Sequence, residues 1–282
     1  MPMALSEDPL RATLVTPESP WRQVDCYEEV GSTNAVSAAD PQPWRVVTTR
    51  RQTQGRGRYT RVWESREGAS VAMSLTVPLA DDPRSWGWLP LTTGLAVAEA
   101  LGELTGAPAR FVLKWPNDVL ICLDDGQYGK VCGILCETVP APATGGAPLV
   151  VAGIGVNIAL TQDELPVPTA TSLALAGLSG PDGELPGGGD VVIAIARAFA
   201  ARHAQWARGG EDLERLRSAY RQCCSTLGAA IDVHLPGDLV VRGQGVDVAD
   251  GGEIVVDTAD GRRTFAAGDV VHVRPGTEED QA

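Results

Sequence analysis

Between Trp21 and Leu178 the chain alternates short apolar runs with longer amphipathic stretches. Val71, Met73, Leu75 and Val77 alternate strictly with small or polar residues, the period of a strand with one face buried. Runs over residues 45–52, 111–113, 119–123 and 149–158 read as further strands. Residues 131–139 form another, pairing back across the turn Asp124-Asp125-Gly126-Gln127. Residues 89–104 carry apolar side chains at helical spacing and meet a glycine stop at Gly106.

The C-terminal half changes rhythm twice. Residues 177–189, rich in Gly and Pro, predict a loop. Asp190 then reads as the N-cap of a helix whose apolar stripe is Val192, Ile195, Phe199, His203 and Trp206. His203 lies on that stripe, the position of a core histidine. A second helix carries Leu213, Leu216 and Tyr220 and ends near Gly228. From residue 230 onward, short alternating runs are broken by Pro236-Gly237, Asp250-Gly251-Gly252 and Asp260-Gly261, the spacing of a small all-β barrel. The expected organisation is a flexible lead-in over 1–20 that packs little, a main domain over 21–228, a β domain over 229–275 and a solvated tail over 276–282.

Composition narrows the function classes. The 282 residues carry a formal charge of −13, which argues against a protein that coats nucleic acid or an anionic membrane. No apolar run has the length of a spanning helix, and the first twenty residues lack a signal-peptide pattern, so a cytoplasmic location is expected. Six Cys without a CxxC pair, and only three His, fit neither a disulfide scaffold nor a structural zinc site. Of 23 basic residues only Lys114 and Lys130 are lysines. A coding bias toward arginine accounts for most of that asymmetry, but a surviving lysine is a candidate for work needing a compact ammonium.

Four segments could carry chemistry. Arg50, Arg51, Arg56, Arg58 and Arg61 cluster around Gly55 and Gly57, where guanidinium forks and bare backbone N–H groups could close over an anion. A solvated loop and a basic patch for nucleic acid are the alternatives for that segment alone. No GxxxxGK[ST] occurs, and the segment does not open a βαβ unit, so neither a P-loop NTPase nor a dinucleotide fold is indicated. Lys114-Trp115-Pro116-Asn117-Asp118 puts an ammonium at a strand end, either facing a ligand or paired with Asp118. Gly153-Ile154-Gly155-Val156-Asn157 places glycines inside a buried strand, for a ligand or for a packed helix. Ser32-Thr33-Asn34 sits where a strand gives way to a helix, as caps or as partners of a polar ligand head.

The order and spacing of GSTN, QTQGRGRxxRxW, SxxGxxxxxSL, LKWPNDV, KxxGILxE and GIGxN resemble the biotin–protein ligases from about Asp25 to Leu160. That resemblance implies an α+β fold, a mixed sheet with helices like the class II synthetases, and a C-terminal SH3-like barrel. It implies activation of biotin by MgATP to biotinyl-5′-adenylate, then transfer to a lysine of a biotin carboxyl carrier domain of acyl-CoA carboxylases. It assigns biotin to Ser32, Thr33, Asn34, Gln52, Arg56, Gly57, Arg58, Lys114, Gly133 and Gly155. It assigns ATP to Arg56, Arg58, Arg61, Trp63, Lys114, Asn117 and Asn157, with Lys114 and Arg58 acting in catalysis. No protein metal site is implied, Mg2+ arriving with ATP. A lipoate- or octanoate-attaching enzyme of the same fold and a non-catalytic biotin or nucleotide sensor are the alternatives. Many relatives have Gly where Thr60 stands, which bears on closure of the arginine segment. Some carry an N-terminal DNA-binding domain for which too few residues precede GSTN, so no operator binding is expected. The sequence sets no oligomeric state.

Overall fold

The computed structural model describes residues 2–58, 61–140, 147–235, 237, 239–266 and 268–272. In chain order its main elements are α1 (Glu7–Leu14), β1 (Gln23–Val30), α2 (Thr33–Ala39), β2 (Arg45–Arg56), β3 (Val62–Ser65), β4 (Ser70–Pro78), α3 (Trp88–Thr105), β5 (Phe111–Lys114), β6 (Asp118–Cys122), β7 (Tyr128–Val139) and β8 (Leu149–Asn157). They continue with α4 (Gly188–Arg208), α5 (Gly210–Cys223), β9 (Ala230–Leu235), β10 (Leu239–Val248), β11 (Ile254–Thr258), β12 (Gly261–Phe265) and β13 (Asp269–His272). Among the described residues no helix is long and apolar enough to cross a membrane.

The first eight strands form one mixed sheet in the order β1-β2-β4-β8-β7-β6-β5, with β3 added to β2; β1 and β2 run parallel and the other pairs antiparallel. Side chains alternate across the sheet because successive Cβ atoms leave opposite faces. On β4, Val71 and Met73 point into the apolar core, with Val71 reached by α4, while Ala72 and Ser74 point to the other side. On β7 and β8, Ile134 and Ile154 lie in the core, Ile134 beneath α3, whereas Gly133, Gly153 and Gly155 face Asn34 or Trp63. One face is thus an apolar bed for α3 and α4, and the opposite face carries the candidate site.

Helix α3 is buried on nearly all sides, held between sheet and helices, and stops at Gly106 in the left-handed region at φ 65°. His203 is buried on α4, its Nε2 2.9 Å from the Pro78 carbonyl, and burial lowers its pKa. The core histidine expected from the sequence is therefore a core histidine.

Four local expectations need correction. The lead-in does pack: α1 buries Leu10 and Leu14, and the Met3 amide donates to Asp190 Oδ2 at 2.8 Å. Asp190 lies inside the first turn of α4, where it also accepts from the Gly187 amide at 3.1 Å; Gly187 is the cap. The helix expected to reach Gly228 ends at Cys223. Strand β4 is buried on both faces, since α2 and its polar partners cover what a single-face pattern would leave to water.

The C-terminal strands make a separate antiparallel sheet in the order β12-β11-β10-β9-β13. Among the described residues its two edge strands do not pair, so the expected barrel is here an open five-stranded sheet. It is joined to the rest of the chain by two indoles, one in the β5–β6 turn and one at the start of α3: Trp115 Nε1 donates to the Gly252 carbonyl at 2.9 Å and Trp88 Nε1 to the Ala249 carbonyl at 3.1 Å. This seating brings β13 beside the end of β5.

Candidate functional site

Thr33 and Asn34 open α2, whose N-cap Ser32 accepts from the Ala35 amide at 3.4 Å. Ser32 is thus used as a cap, while the next two side chains are buried against the sheet. The Thr33 amide and hydroxyl reach Gln52 Oε1 at 2.9 and 3.2 Å, and Gln52 Nε2 donates to the Trp63 carbonyl at 3.2 Å. Asn34 Nδ2 donates to the Leu135 carbonyl at 3.2 Å and to Glu137 Oε2 at 2.7 Å. Ser74, fully buried on β4, lies 2.7 Å from both Thr33 Oγ1 and Asn34 Oδ1. Buried polar groups of this kind hold one orientation because each lost partner is costly.

Beside this network lies a shelf of small residues. Ala72, Gly155, Gly133 and Asp118 are register neighbours across β4, β8, β7 and β6. The Trp63 indole rests on it: a Cβ at Gly155 would lie 2.2 Å from Trp63 Cε2 and Nε1, and one at Gly133 would lie 3.0 Å from Cζ3. Here the glycines are required by a close approach, and the approaching group is an indole. Trp63 Nε1 is buried with no hydrogen-bond acceptor among the described residues. Lys130 Nζ lies 5.9 Å from the Trp63 ring centroid and 2.6 Å from Asp118 Oδ1.

The third group is charged. Lys114 is the register partner of Asp118 at the turn between β5 and β6. Burial lowers the Lys114 pKa, with Asp118 and Asp269 pulling it back up and Lys130 and Arg61 pushing it further down. Arg61 forms an ion pair with Asp269 of β13. His272, also on β13, is pushed down to about 4 by burial and by Lys114. Two stretches distant in sequence, the arginine segment and the LKWPND turn, therefore meet, and the C-terminal sheet supplies a carboxylate to the meeting.

The remaining expected residues divide. Arg56 Nη2 contacts Glu137 Oε1 at 3.3 Å. The Gly57 amide donates to the Arg61 carbonyl at 2.6 Å and closes the turn that carries Arg58, one of whose guanidinium nitrogens is out of solvent. Thr60 lies outside the described residues. Asn117 Nδ2 donates to the Ile134 carbonyl and Asn157 Nδ2 to the Thr171 carbonyl, at 2.8 and 2.9 Å, so both amides hold backbone here. Sequence reasoning missed Ser74, Glu137 and Asp269, and named Lys130 as a surviving lysine and Asp118 as a partner for Lys114 without giving either a place in the site. Ser74 and Glu137 lie inside the SxxGxxxxxSL and KxxGILxE motifs; Asp269 has no sequence signal at all.

The geometry therefore offers a buried neutral network suited to a polar ring, an adjoining shelf under an indole, and cations suited to an anion between them. The chain is similar to known proteins. A model of the biotin/lipoate A/B protein ligase family matches residues 29–157. The biotin–[acetyl-CoA-carboxylase] ligase of Mycobacterium tuberculosis is 36% identical over 278 residues, 96% of this chain and 96% of that protein. The bifunctional ligase/repressor BirA of Bacillus subtilis is 30% identical over 236 residues, 80% of this chain and 65% of that protein. Among solved structures, the biotin protein ligase of Aquifex aeolicus in complex with biotin and ATP superposes with a TM-score of 0.71 at 24% identity, covering 90% of this chain and all (100%) of that one.

Proposed function

Because the chain belongs to the biotin/lipoate A/B protein ligase family, we propose that it activates biotin with ATP and transfers it to a lysine of a carrier domain of an acyl-CoA carboxylase. One observation supports this above the rest: the neutral Thr33–Asn34–Ser74–Gln52 network and the Lys114–Arg61 cations adjoin one glycine shelf. A ureido ring needs the first, and a carboxylate meeting a phosphate needs the second.

In the first step a carboxylate oxygen of biotin attacks the α-phosphorus of ATP, an oxygen–phosphorus bond forms, and pyrophosphate leaves. Two anions must approach, and charge builds on the phosphoryl oxygens. Lys114, Arg56, Arg58 and Arg61 are the cations assigned to it, and losing one fixed donor in a dry site typically costs about 2.7–4 kcal/mol of barrier. Thr33, Asn34 and Gln52 orient the ring, Gly133 and Gly155 keep the shelf flat, and Trp63 covers the base. Magnesium enters with the nucleotide. Asp118 and Asp269, the carboxylates beside Lys114, are the oxygen donors assigned to it alongside the phosphates.

In the second step the carrier lysine's amine attacks the acyl carbon and AMP leaves. The anhydride has to be kept from water until then, the task assigned to the arginine turn over the shelf. No side chain of the enzyme becomes acylated. We place the reaction in the cytoplasm, with its carboxylase substrates.

The test is pyrophosphate release and carrier acylation with biotin, ATP and Mg2+, repeated with lipoate or octanoate. Release that needs biotin, with transfer to the carrier lysine, is expected. Equal turnover of lipoate would move the chain to the acyl-attaching branch of the family, and ligand binding without release would make it a sensor.

A further inference from the structure

Among the described residues Glu137 is the carboxylate bonded both to Asn34 and to Arg56, and none of the assigned roles uses it. Its Oε2 accepts from Asn34 Nδ2 at 2.7 Å, while its Oε1 accepts from Arg56 Nη2 at 3.3 Å. Its placement follows from the strand period: Gly133, Leu135 and Glu137 fall on the face of β7 turned away from the core, with Glu137 beyond the shelf. Starting from Glu137, contacts run through Asn34, Ser74 and Thr33, whose amide N–H reaches Gln52, and from Gln52 to the Trp63 carbonyl on β3. Both ends of the series therefore end on the arginine hairpin, at Arg56 on one strand and at Trp63 on the other.

The directions at Asn34 are fixed. Asn34 donates both of its N–H groups, to the Leu135 carbonyl and to Glu137, and its Oδ1 accepts from Ser74. A carbonyl and a carboxylate only accept, so the amide cannot flip without losing both donors. At Gly153 any Cβ would lie 2.2 Å from Asn34 Oδ1, so the strand itself is shaped to the amide in this orientation. The contact to Arg56 is different in kind: Glu137 is 34% and Arg56 60% exposed, and an ion pair that open to water is weak until something covers it.

We infer that Glu137 is a positioning residue that couples the head-group pocket to the arginine hairpin. A ring bound at Asn34 and Thr33 fixes Glu137, and Glu137 in turn holds Arg56 toward the adenylate. The bound adenylate shields the pair from water and strengthens it, so ring and adenylate occupancy support each other. The inference rests on the function proposed above, because the ligand ring and the adenylate are those of that reaction.

The test compares wild type, Glu137→Gln, Glu137→Ala and Arg56→Ala. It reads biotin affinity by calorimetry without ATP, and the rate at which preformed biotinyl-adenylate leaves the enzyme. Glu137→Gln keeps a carbonyl for Asn34 but loses the charge facing Arg56, so biotin affinity stays within about threefold while adenylate leaves at least roughly fivefold faster. Glu137→Ala also loses about tenfold in biotin affinity, because the Asn34 amide is left without its acceptor. In the adenylate assay the Glu137→Gln and Arg56→Ala effects overlap, the double variant being no faster than the faster single one. Additive effects in that cycle, equal loss of biotin affinity in Gln and Ala variants, or both variants within about twofold of wild type in both readouts would overturn the coupling. If Glu137→Ala does not fold, the isosteric Gln variant and the cycle decide alone. A wild type that forms adenylate while its variants match it overturns the coupling only; a wild type that forms none overturns the function as well.

Discussion

The two halves of the site are built in opposite ways. Around Thr33, Asn34, Ser74 and Gln52 the polar side chains are buried and bonded mainly to each other and to backbone, with no formal charge until Glu137 at the rim. Around Lys114, Lys130 and Arg61 the groups are formal charges held by carboxylates, Asp118 from the main sheet and Asp269 from the C-terminal sheet. A neutral ring gives little electrostatic energy, so selectivity for it depends on fixed donors and acceptors that an ill-matched ligand would leave unpaired. A phosphate gives a great deal, and cations waiting for it need temporary counter-ions to be tolerated at partial burial. On the function proposed, the first half is set before the ligand arrives and the second exchanges one set of anions for another.

Breaking the charged half is expected to have the largest effect. Lys114→Ala removes a partly buried ammonium at the turn, and the rate of biotin-dependent pyrophosphate release should fall by about 10²–10³-fold with biotin affinity changed far less. Lys114→Arg sharpens the point. The lysine loses its proton earlier than an ordinary lysine as pH rises, because burial disfavours its charge. The alkaline limb of kcat/KM for ATP should therefore move to higher pH in the arginine variant, whatever its absolute rate. A wild-type rate that Lys114→Ala leaves unchanged, or an alkaline limb common to lysine and arginine enzymes, would remove Lys114 from the chemistry.

Breaking the neutral half should cost less and should fall on the other substrate. In Gly153→Ala the new methyl group would stand 2.2 Å from Asn34 Oδ1, so the amide must leave Ser74, Glu137 or both. One buried polar group losing its partner costs about 1–3 kcal/mol, or roughly 5- to 150-fold in biotin affinity. The KM for ATP should stay within about threefold, since Lys114, Lys130 and Arg61 are untouched and only Arg56 is reached, through Glu137. A calorimetric biotin titration checks the first number and initial rates the second. If both substrates weaken equally, the two halves are one unit and the contrast is wrong.

How much of this was legible in the chain depends on the range of each interaction. The strands of the main sheet, the stop at Gly106 and the burial of His203 follow from local periodicity and were readable. Asp190 was misplaced because an acidic side chain near a helix start can act from the cap or from the first turn, and only the position of Met3 and Gly187 distinguishes these. The lead-in was undervalued because two buried leucines, Leu10 and Leu14, are too few to give a periodic signal. At the site, motifs named the main-sheet residues but not their partners. The contact of Asp269 with Arg61 spans more than two hundred residues and two sheets, and no spacing rule reaches that far.

The smallest expected effect tests how firmly the charged half is tied to the C-terminal sheet. His272 sits on β13, partly buried, its Nε2 3.1 Å from Thr226 Oγ1 and close enough to Lys114 to feel its charge. Burial first and Lys114 second lower its pKa from 6.5 to about 4. The unfolded chain therefore takes up a proton as pH falls through 6.5, whereas the folded chain does not until about 4. Stability from this residue is complete above the unfolded value and is lost progressively across that window. Because water reaches part of the ring, the loss is discounted to about 1 kcal/mol, roughly 2–4 °C in Tm for a chain of this size. His203, lowered by its own burial, adds a parallel loss that does not depend on Lys114. His272→Gln keeps a partner for Thr226 and removes the titration, so its Tm should fall less steeply than wild type between pH 7 and pH 4 by about that margin. In Lys114→Ala the wild-type slope should shrink as well, because the second cause of the shift is gone. Parallel curves for wild type and His272→Gln would mean that β13 does not bear on the cations, and that the C-terminal sheet is only a neighbour of the site.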